Sequence, residues 1–404
     1  MKRLVLKFGG TSVGTIEKIK KVASIIKQKH IKNTEVIAVV SAMSNVTNDL
    51  KEKSSLISKN FDAKELDVLL SSGEQVSSSL LAGALIELGL KARSWLGWQI
   101  PIITNDNHTA SQIIQIKTNE VLKFISNGGV AIVAGFQGIS MESRITTLGR
   151  GGSDLSAVAI AKFFNTDSCE IYTDVEGVLT TDPTINDKAK KIEKISYEEM
   201  LEMASLGAKV MQPNAVQASM TDNIPIHVRS TFSEKSGTKI ISENEIDYKK
   251  VVTGIAYSKN NAKVSVIGVI DKPGVAADIF EPIGKNNINV DMVIQNTSLD
   301  GKTANVTFTI KREDLSKTLS LIEKNKKKIN YNEIKHDDKL AKVSIIGAGM
   351  IVHPGVTYKM FRSLADSKIN ILAISTSEIK ISVLIREDLT QKAVKILHKT
   401  FELD

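Results

Sequence analysis

The chain has 404 residues, which is long enough for two or three domains with complete hydrophobic cores. Its composition, 42% hydrophobic and 24% charged, is typical of a globular protein, and no apolar run is long enough to span a membrane. Much of the net charge of +8 lies on lysine-rich helical faces, without an accompanying patch of arginine and aromatic residues. We therefore expect no nucleic-acid or membrane partner, whereas small anionic substrates suit the positive charge.

The single cysteine, Cys169, lies in an apolar segment that is predicted to be a buried strand. One cysteine cannot form an intrachain disulfide, which fits a reducing compartment, and we expect the protein to be cytoplasmic. The N-terminus enters a strand-like segment at once and does not have the form of a signal peptide.

Apolar strand-like segments alternate with segments of helical spacing through the first 230 residues. The predicted strands include Lys2–Phe8, Val36–Val40, Ala92–Trp95, Val130–Ala134, a strand reaching Ile145, Cys169–Tyr172 and Ile224–Val228. Helical spacing is found at 16–26, at 66–88 with an interruption at 71–74, at 109–125, and after residue 153. Apolar strands separated by helices predict an α/β fold, a mainly parallel sheet sandwiched by helices. Ligands of such sheets bind at the carboxyl ends of the strands, where four polar turns of this chain are expected to lie.

The most distinctive turn is Thr147–Asp154, in which a strand end, a glycine-rich turn and a helix start follow one another. Its glycines allow positive φ and a close approach of the backbone to a ligand, and Ser153 or Asp154 can cap the helix. The free N–H groups of a helix start can bind an anion, and Arg150 adds a rigid fork of donors for a carboxylate or phosphate. A capping turn with one surface arginine is the alternative interpretation.

Polar residues also follow three other predicted strands. Lys7 precedes a Gly-Gly pair, so that a point charge adjoins a backbone that can wrap phosphate oxygens. Ser41–Thr47 follows the second strand, and Tyr172–Gly177 brings hydroxyl and carboxylate groups to another strand end. There Asp174 could hold the Mg²⁺ of a nucleotide through water, because Mg²⁺ keeps much of its hydration.

Each of these residues has a purely structural alternative. Lys7 alone is as readily a surface lysine, Asp174 suits an Asx turn, and Glu74 suits the positive end of a helix that is predicted to start there. The chain lacks the sequence fingerprints of P-loop and dinucleotide-binding proteins. It also lacks a metal-binding His/Cys spacing and a Ser-His-Asp arrangement. The set suits phosphoryl transfer, which needs positioning and charge neutralisation. A carboxylate acceptor is already ionised at neutral pH and requires no general base.

The C-terminal part of the sequence repeats itself. The segments Val264–Gly268, Pro273–Val275 and Ile288–Ile294 recur as Val343–Gly347, Pro354–Val356 and Ile369–Ile374. Such a repeat predicts two small α+β modules of βαββαβ type. The second copy ends directly after its last helix and lacks a closing strand. Because an unpaired sheet edge is a liability, we predict that residues 251–258 close it, with the first module inserted into the second.

Eight short motifs stand in order along the first half: Lys7–Ser12, Val40–Thr47, Ser72–Gln75, Phe136–Gly138, Thr147–Asp154, Thr173–Gly177, Thr181–Pro183 and Gly207–Val210. Together with the C-terminal repeat, this ordered set resembles the aspartokinases, which are amino acid kinases with a C-terminal pair of ACT domains. The resemblance covers nearly the whole chain. It implies a catalytic domain at 1–230, a linker at 231–250, a first ACT domain at 263–337, and a second ACT domain formed by 251–262 and 338–404.

The resemblance also implies roles for individual residues. Catalysis would involve Lys7 and Asp154, and aspartate would bind to Ser41, Thr47, Glu74, Arg150, Gly151, Gly152 and Ser153. The nucleotide would bind to Lys7, Phe8, Gly9, Gly10, Thr173, Asp174, Leu179, Lys209 and Val210. An effector amino acid would bind to Asp271, Gly274, Ala276, Gln295, Thr357, Asn370 and Ile371. The implied cofactor is ATP with Mg²⁺ carried by the nucleotide, without a metal site of the protein itself.

Three positions depart from the family pattern. Leu179 and Thr184 stand where the family often has Tyr and Arg near the nucleotide, and Gln212 stands where a His is frequent. The first two departures concern ATP affinity and base preference more than the type of reaction, whereas the sequence assigns no effect to Gln212.

The implied reaction is transfer of the ATP γ-phosphate to the side-chain carboxylate of L-aspartate, the first step toward lysine, threonine and methionine. Lysine, threonine or both would inhibit through the ACT domains. No Met lies between Thr221 and Asp291, which favours a single-product homo-oligomer assembled through ACT domains; an internal start at Val251 is the alternative. Two rival functions are a kinase for glutamate or carbamate and an amino-acid sensor with an inactive kinase half.

Overall fold

The computed structural model of the chain describes residues 2–31, 33–166, 168–208, 210–246, 250–298 and 301–404. The chain divides into two compact units, which we call the first unit (Met1–Leu179 and Lys190–Asp247) and the second unit (Thr180–Ala189 and Tyr248–Asp404). In the described parts of the chain, no helix combines the length and apolar character needed to cross a membrane.

The first unit contains twelve described strands and seven described helices. The strands are β1 Lys2–Phe8, β2 Thr34–Val40, β3 Ala92–Trp95, β4 Ile102–Thr104, β5 Ile113–Ile116, β6 Val130–Ala134, β7 Gln137–Ser140, β8 Ile145–Thr147, β9 Cys169–Thr173, β10 Lys194–Ser196, β11 Ile226–Ser230 and β12 Thr238–Ile241. The helices are α1 Ile16–Lys29, α2 Val46–Ile57, α3 Ala63–Glu87, α4 Asn119–Ser126, α5 Gly152–Phe163, α6 Tyr197–Ser205 and α7 Pro213–Asp222.

Eight of these strands form one sheet in the order β10-β12-β11-β9-β1-β2-β6-β3. All neighbours in it are parallel except β11 and β12, which confirms the predicted α/β class. The central strands are buried over almost their whole length, since helices cover both faces. Cys169 lies in this core, where burial raises the pKa of its thiol, so the prediction that it is a core residue is confirmed.

Three details of the first unit differ from the predictions. The strand that reaches Ile145 belongs to a second, four-stranded sheet, β5-β4-β7-β8, because it forms a hairpin with β7. Residues 109–125 are not one helix, since the isoleucine-rich segment 113–116 pairs with β4 and only α4 is helical. The segment predicted to be a linker contains β12, a strand of the main sheet.

Helix α3 runs without interruption through Ser71–Glu74, where the sequence predicted a break and a new helix start. Gly73 is needed there for close packing: a Cβ atom at this residue would lie 2.7 Å from the Cβ atom of Ala42. The glycine therefore marks the close approach of α3 to the turn after β2, and the helix continues past it.

The second unit contains six strands and five α-helical segments among its described residues. They are β13 Gly254–Ile270, α8 Val275–Lys285, β14 Val290–Thr297, β15 Thr303–Lys311, α9 Leu315–Lys324, α10 Lys326–Ile329, β16 Glu333–Ile346, α11 Val356–Asp366, β17 Ala373–Thr376, β18 Lys380–Arg386 and α12 Thr390–Thr400, of which α10 is a single turn. An additional 3₁₀ turn, Ala348–Val352, precedes α11. The strands form one antiparallel sheet in the order β14-β15-β13-β16-β18-β17.

Strands β13 and β16 each run through both repeated modules. Residues 254–258 pair with 342–346, at the edge of the second copy, and residues 263–267 pair with 333–337 beside the first copy. One hydrophobic core lies on each half of the sheet, with Val264, Ile279 and Phe308 in one and Val343, Met360 and Leu397 in the other. The strand expected at 251–258 is therefore the first part of a longer strand that the modules share.

The short segment Thr180–Ala189 leaves the first unit and packs within the second. The N–H of Ile255 donates to the carbonyl of Thr180 at 2.7 Å, and the Thr180 hydroxyl lies 2.8 Å from Nε2 of the buried His398. Ile185 adds its side chain to the core that contains Val343.

Candidate active site

Lys7, next to last in β1, lies against a carboxylate. The Nζ atom of Lys7 lies 2.5 Å from Oδ1 of Asp154, which stands in the first turn of α5. Lys7 is 9% exposed and Asp154 is 7% exposed, so two opposite charges meet in a nearly dry environment. A buried charge is tolerated when a partner neutralises it, and each of these groups provides that partner for the other.

The Gly-Gly pair beside Lys7 leaves a narrow backbone cradle. A Cβ atom at Gly10 would lie 2.8 Å from the carbonyl oxygen of Ala42, and one at Gly9 would lie 3.5 Å from Nζ of Lys7. The N–H of Gly9 donates to the carbonyl of Tyr172 at 3.2 Å, which ties the turn to the end of β9. A side chain at Gly9 would therefore stand beside the lysine, and one at Gly10 would collide with the turn after β2.

The glycine-rich turn between β8 and α5 adopts left-handed backbone conformations, with φ of 74° at Gly149 and 72° at Gly151. Gly151 occupies the N-cap position of α5, and no side chain caps this helix, so the prediction of a cap by Ser153 or Asp154 is wrong. Both side chains lie inside the first helical turn and are buried. The helix start is therefore open to an anionic ligand, while Asp154 faces Lys7.

Glu74 lies on the buried face of α3 and is 3% exposed. Its Oε1 accepts the N–H of Ala42 at 3.0 Å, whereas its Oε2 is buried and lacks a hydrogen-bond partner among the described residues. Burial raises the pKa of this carboxyl to about 7, although the hydrogen bond from Ala42 acts in the opposite direction. An unpartnered carboxylate oxygen in such a place is suited to a cationic group of a ligand.

A cavity of about 660 Å³ brings these groups together. Its lining includes Gly10 from the suggested phosphate-binding turn and all nine residues that the sequence suggested for catalysis and aspartate binding: Lys7, Ser41, Thr47, Glu74, Arg150, Gly151, Gly152, Ser153 and Asp154. Arg150 is exposed at its rim, and within the described chain no acidic side chain pairs with its guanidinium. Cationic, anionic and hydrogen-bonding groups thus converge on one space of small-molecule size.

The residues suggested for nucleotide binding are more dispersed. Phe8 is a core residue whose ring stacks on Tyr172 at a centroid distance of 4.8 Å, so only its backbone is available to a ligand. Thr173 ends β9, and its hydroxyl donates to Oδ1 of the exposed Asp174 at 3.1 Å. Leu179 bridges to Lys191 in a short antiparallel contact, Val210 is partly buried, and Lys209 lies outside the described residues.

Several cavity residues received no site role from the sequence, among them Leu66, Leu70 and Thr109, while Phe136 and Thr147 were named only as members of motifs. The spacing of Leu66, Leu70 and Glu74 at four-residue intervals was the available signal for α3, but the predicted break at 71–74 concealed it. Thr109 carried no signal, because the loop that holds it was predicted to be a helix.

The seven residues suggested for effector binding all lie in the second unit. Asp271, Gly274, Gln295, Thr357 and Asn370 are exposed, while Ala276 and Ile371 are half-buried. Gly274 has φ of 97° and is the N-cap residue of α8, so this turn presents an open helix start. Within the described ranges, no three His, Cys, Asp or Glu side chains are grouped so as to hold a metal ion.

Comparison with known proteins identifies the family of this chain. The amino acid kinase family model matches residues 2–230, which is more than half of the chain, and ACT domain models match residues 264–326 and 343–401. The chain therefore belongs to the amino acid kinase family.

Full-length relatives define the group within that family. An aspartate kinase of Stutzerimonas stutzeri is 46% identical over 405 residues, covering 100% of this chain and 98% of the relative. An aspartokinase of Pseudomonas aeruginosa is 45% identical over 406 residues, with the same coverage. The crystal structure of E. coli aspartokinase III with aspartate and ADP, 23% identical, matches the fold with a TM-score of 0.83 and covers 99% of this chain and 100% of that one. Within the amino acid kinases, this enzyme falls among the aspartokinases.

Proposed function

We propose that the enzyme transfers the γ-phosphoryl group of ATP to the side-chain carboxylate of L-aspartate, giving 4-phospho-L-aspartate. The observation that carries this proposal is the convergence of Lys7, Glu74 and Arg150 on one cavity, with the buried oxygen of Glu74 unpartnered. Glu74 would bind the ammonium of aspartate and Arg150 its α-carboxylate, leaving the side-chain carboxylate to attack. The names of the relatives support aspartate as the acceptor.

Ser41 and Thr47 would add hydrogen bonds to aspartate from the turn after β2. Gly151, Gly152 and Ser153 would bring the helix start of α5 to the meeting point of carboxylate and phosphate. The acceptor is ionised at neutral pH, so the cavity needs no general base for this transfer. Its work is to align the reactants and to neutralise charge on the moving phosphoryl group.

Lys7 would stabilise that charge, because its ammonium stands beside the glycine cradle at the end of β1. The backbone of Phe8, Gly9 and Gly10 is suited to phosphate oxygens, since a side chain at Gly9 would stand beside the Lys7 ammonium. Asp154 would hold the Lys7 ammonium in place until the phosphates arrive. We assign the rest of the nucleotide to Thr173, Asp174, Leu179, Lys209 and Val210, with Mg²⁺ carried by ATP.

We further propose that lysine, threonine or both inhibit the enzyme through the second unit. The open helix start at Gly274 can receive the carboxylate of an amino acid, and the Gln295 amide oxygen can receive its ammonium. Asp271, Ala276, Thr357, Asn370 and Ile371 would complete the site. A solved E. coli aspartokinase III complex with lysine and aspartate, described as a T state, supports lysine as one effector. Inhibition requires that the effector bind a less active state more tightly.

The exposed positions of these residues suggest that a second chain completes the effector site, so we propose a homo-oligomer assembled through the ACT domains. The outer strands β14 and β17 offer edges for such assembly. We also propose that the product, 4-phospho-L-aspartate, is the activated precursor for the synthesis of lysine, threonine and methionine.

The decisive experiment measures ADP release with aspartate, glutamate, carbamate and no acceptor, each with and without lysine and threonine. Turnover that requires aspartate supports the proposed reaction. Turnover with glutamate or carbamate instead would assign another kinase of the family. The absence of ATP-dependent turnover with every acceptor would overturn the proposal and favour an amino-acid sensor.

A further inference from the structure

Asp67 is a fully buried carboxylate that stands outside the proposed set of substrate ligands. It lies on α3, seven residues before Glu74, and its relative exposure is 0%. Its Oδ2 lies 2.7 Å from Nδ1 of His108, and both of its oxygens lie 3.1 Å from the N–H of Thr109. Its Oδ1 also accepts a hydrogen bond from the hydroxyl of Thr147. One helix residue thus holds both a loop and a strand end.

Thr109 and Thr147 both line the proposed active site. Thr109 has φ of 68°, a left-handed conformation that is rare for a β-branched residue. Two carboxylate oxygens on its N–H, and His108 bound to the same carboxylate, hold the loop in this conformation. A strained backbone persists where its surroundings fix it, and here the fixing group is Asp67.

The two anchored pieces also touch each other next to Arg150. A Cβ atom at Gly149 would lie 3.1 Å from the carbonyl oxygen of Thr109, so the glycine-rich turn rests on the loop that Asp67 holds. The N–H of Ser111 donates to the carbonyl of Thr147 at 2.9 Å and closes the contact from the other side. Arg150 follows Thr147 by three residues, so its position depends on this anchored strand end.

We infer that Asp67 is a positioning residue that fixes the spacing between Glu74 and Arg150. Glu74 is carried by the same helix as Asp67, and Arg150 by the turn that Asp67 holds through Thr147 and Thr109. These two groups are the proposed ligands of the ammonium and the carboxylate of aspartate. The inference thus rests on the proposed function. It states that Asp67 supports the binding of aspartate and has little influence on the binding of ATP.

The test compares aspartate binding with ATP binding in Asp67→Ala, Asp67→Asn and wild-type enzyme. Displacement of a substrate-holding group by about 1 Å can cost on the order of 100-fold, so Asp67→Ala should lower kcat/KM for aspartate about 10- to 100-fold. The KM for ATP should change less than about threefold, because the groups that Asp67 holds are proposed ligands of aspartate and not of ATP. Protection against thermal unfolding by aspartate, measured without turnover, should weaken in the same proportion.

Asp67→Asn supplies the conservative rescue. Its amide oxygen can still accept from Thr109 and Thr147, and its NH₂ group can donate to neutral Nδ1 of His108. Its KM for aspartate should stay within about threefold of wild type, because the hydrogen bonds survive without the charge. Asp62→Ala is the matched control. Asp62 caps the same helix by accepting the backbone N–H groups of Lys64 and Glu65, and it does not line the cavity. This variant should lower the melting temperature and leave the KM for aspartate unchanged.

If Asp67→Ala does not fold, Thr147→Val removes one donor of the network at almost constant volume and should raise the KM for aspartate about 3- to 10-fold, the size of one lost hydrogen bond. Wild-type affinity for aspartate in both Asp67→Ala and Thr147→Val would overturn the inference. If the binding of aspartate and the binding of ATP weaken equally, Asp67 has a purely structural role. Wild-type turnover with aspartate tests the proposed function separately, because the inference depends only on the ratios between variants.

Discussion

The two units place their candidate ligand-binding residues in opposite environments. In the first unit Lys7, Glu74 and Asp154 are almost completely buried around one cavity, whereas in the second unit Asp271 and Gln295 are exposed. Buried charges are costly without partners, so the first site is shaped for its ligands within a single chain. Exposed turn residues carry no such cost, and they bind tightly only when a further surface excludes water. The proposed catalytic site is therefore formed by one chain, whereas the proposed effector site requires a further surface.

The largest expected effect comes from removing the buried cation. Lys7→Ala should lower kcat by about 10²- to 10³-fold, because one preorganised contact to the developing phosphoryl charge is lost. Steady-state kinetics with saturating ATP and aspartate measure this, and circular dichroism checks the fold. Lys20→Ala, an exposed lysine on α1, is the control and should leave kcat unchanged. Near-normal turnover in Lys7→Ala would remove the lysine from the mechanism.

Arg150 should affect binding more than turnover. Arg150→Ala should raise the KM for aspartate about 10- to 100-fold, since a hydrogen-bonded charge contact of about 1.5–3 kcal/mol to a non-reacting carboxylate is lost. The KM for ATP should remain close to that of wild type. Arg93→Ala, which removes an exposed arginine stacked over Trp95, provides the comparison. A normal KM for aspartate in Arg150→Ala would place the α-carboxylate elsewhere in the cavity.

The raised pKa of Glu74 predicts a pH dependence of aspartate capture. The carboxylate form holds the ammonium, and burial raises the pKa of the free enzyme's Glu74 to about 7. As the pH falls below that value the neutral form accumulates, so kcat/KM for aspartate should drop about tenfold per pH unit and level off above pH 7. A bound ammonium favours the charged carboxylate, so kcat should fall only at lower pH.

The Glu74→Gln variant distinguishes the titration of the Glu74 carboxyl from the titration of the ATP phosphates. The variant should have a lower kcat/KM for aspartate at high pH and should lose the Glu74 part of the acid limb. An acid limb of unchanged position and slope in Glu74→Gln would assign the titration to another group.

The smallest change in basal activity is expected in the second unit. Gln295→Ala should leave uninhibited turnover within about twofold of wild type, as an exposed substitution does, while weakening inhibition by lysine or threonine about tenfold for one lost hydrogen bond to a charged group. Asn296→Ala is the matched control, because neighbouring strand residues face opposite sides of the sheet. Titration of both effectors, singly and together, gives the comparison. Undiminished inhibition in Gln295→Ala would locate the effector site elsewhere.

The sequence was most informative where the chemistry is local. The glycine-rich turns, the strands before them and the duplicated modules could all be predicted, since each depends on neighbouring residues. The pairing of Lys7 with Asp154, 147 positions apart, required the fold to bring β1 and α5 together. The resemblance named both residues, but their direct contact could not be derived from either motif alone.

The failures have a common physical origin. Ser71–Glu74 looked like a break because glycine weakens a helix, yet Gly73 is present because α3 packs closely on Ala42. Thr109 belongs to a loop whose conformation depends on Asp67, a residue 42 positions earlier. Tertiary contacts decide both cases, and local propensity carries no information about them.

The long strands shared by the two modules affect the order in which the chain can fold. Residues 254–258 emerge from the ribosome early, but their partners at 342–346 follow roughly 90 residues later. At about 5–20 residues per second, this edge of the sheet waits on the order of 5 to 20 s for its partner strand. The first module can fold during that interval, whereas the second stays open until the chain is nearly complete. A stalled ribosome in this region would thus expose a half-made sheet with apolar residues on one face.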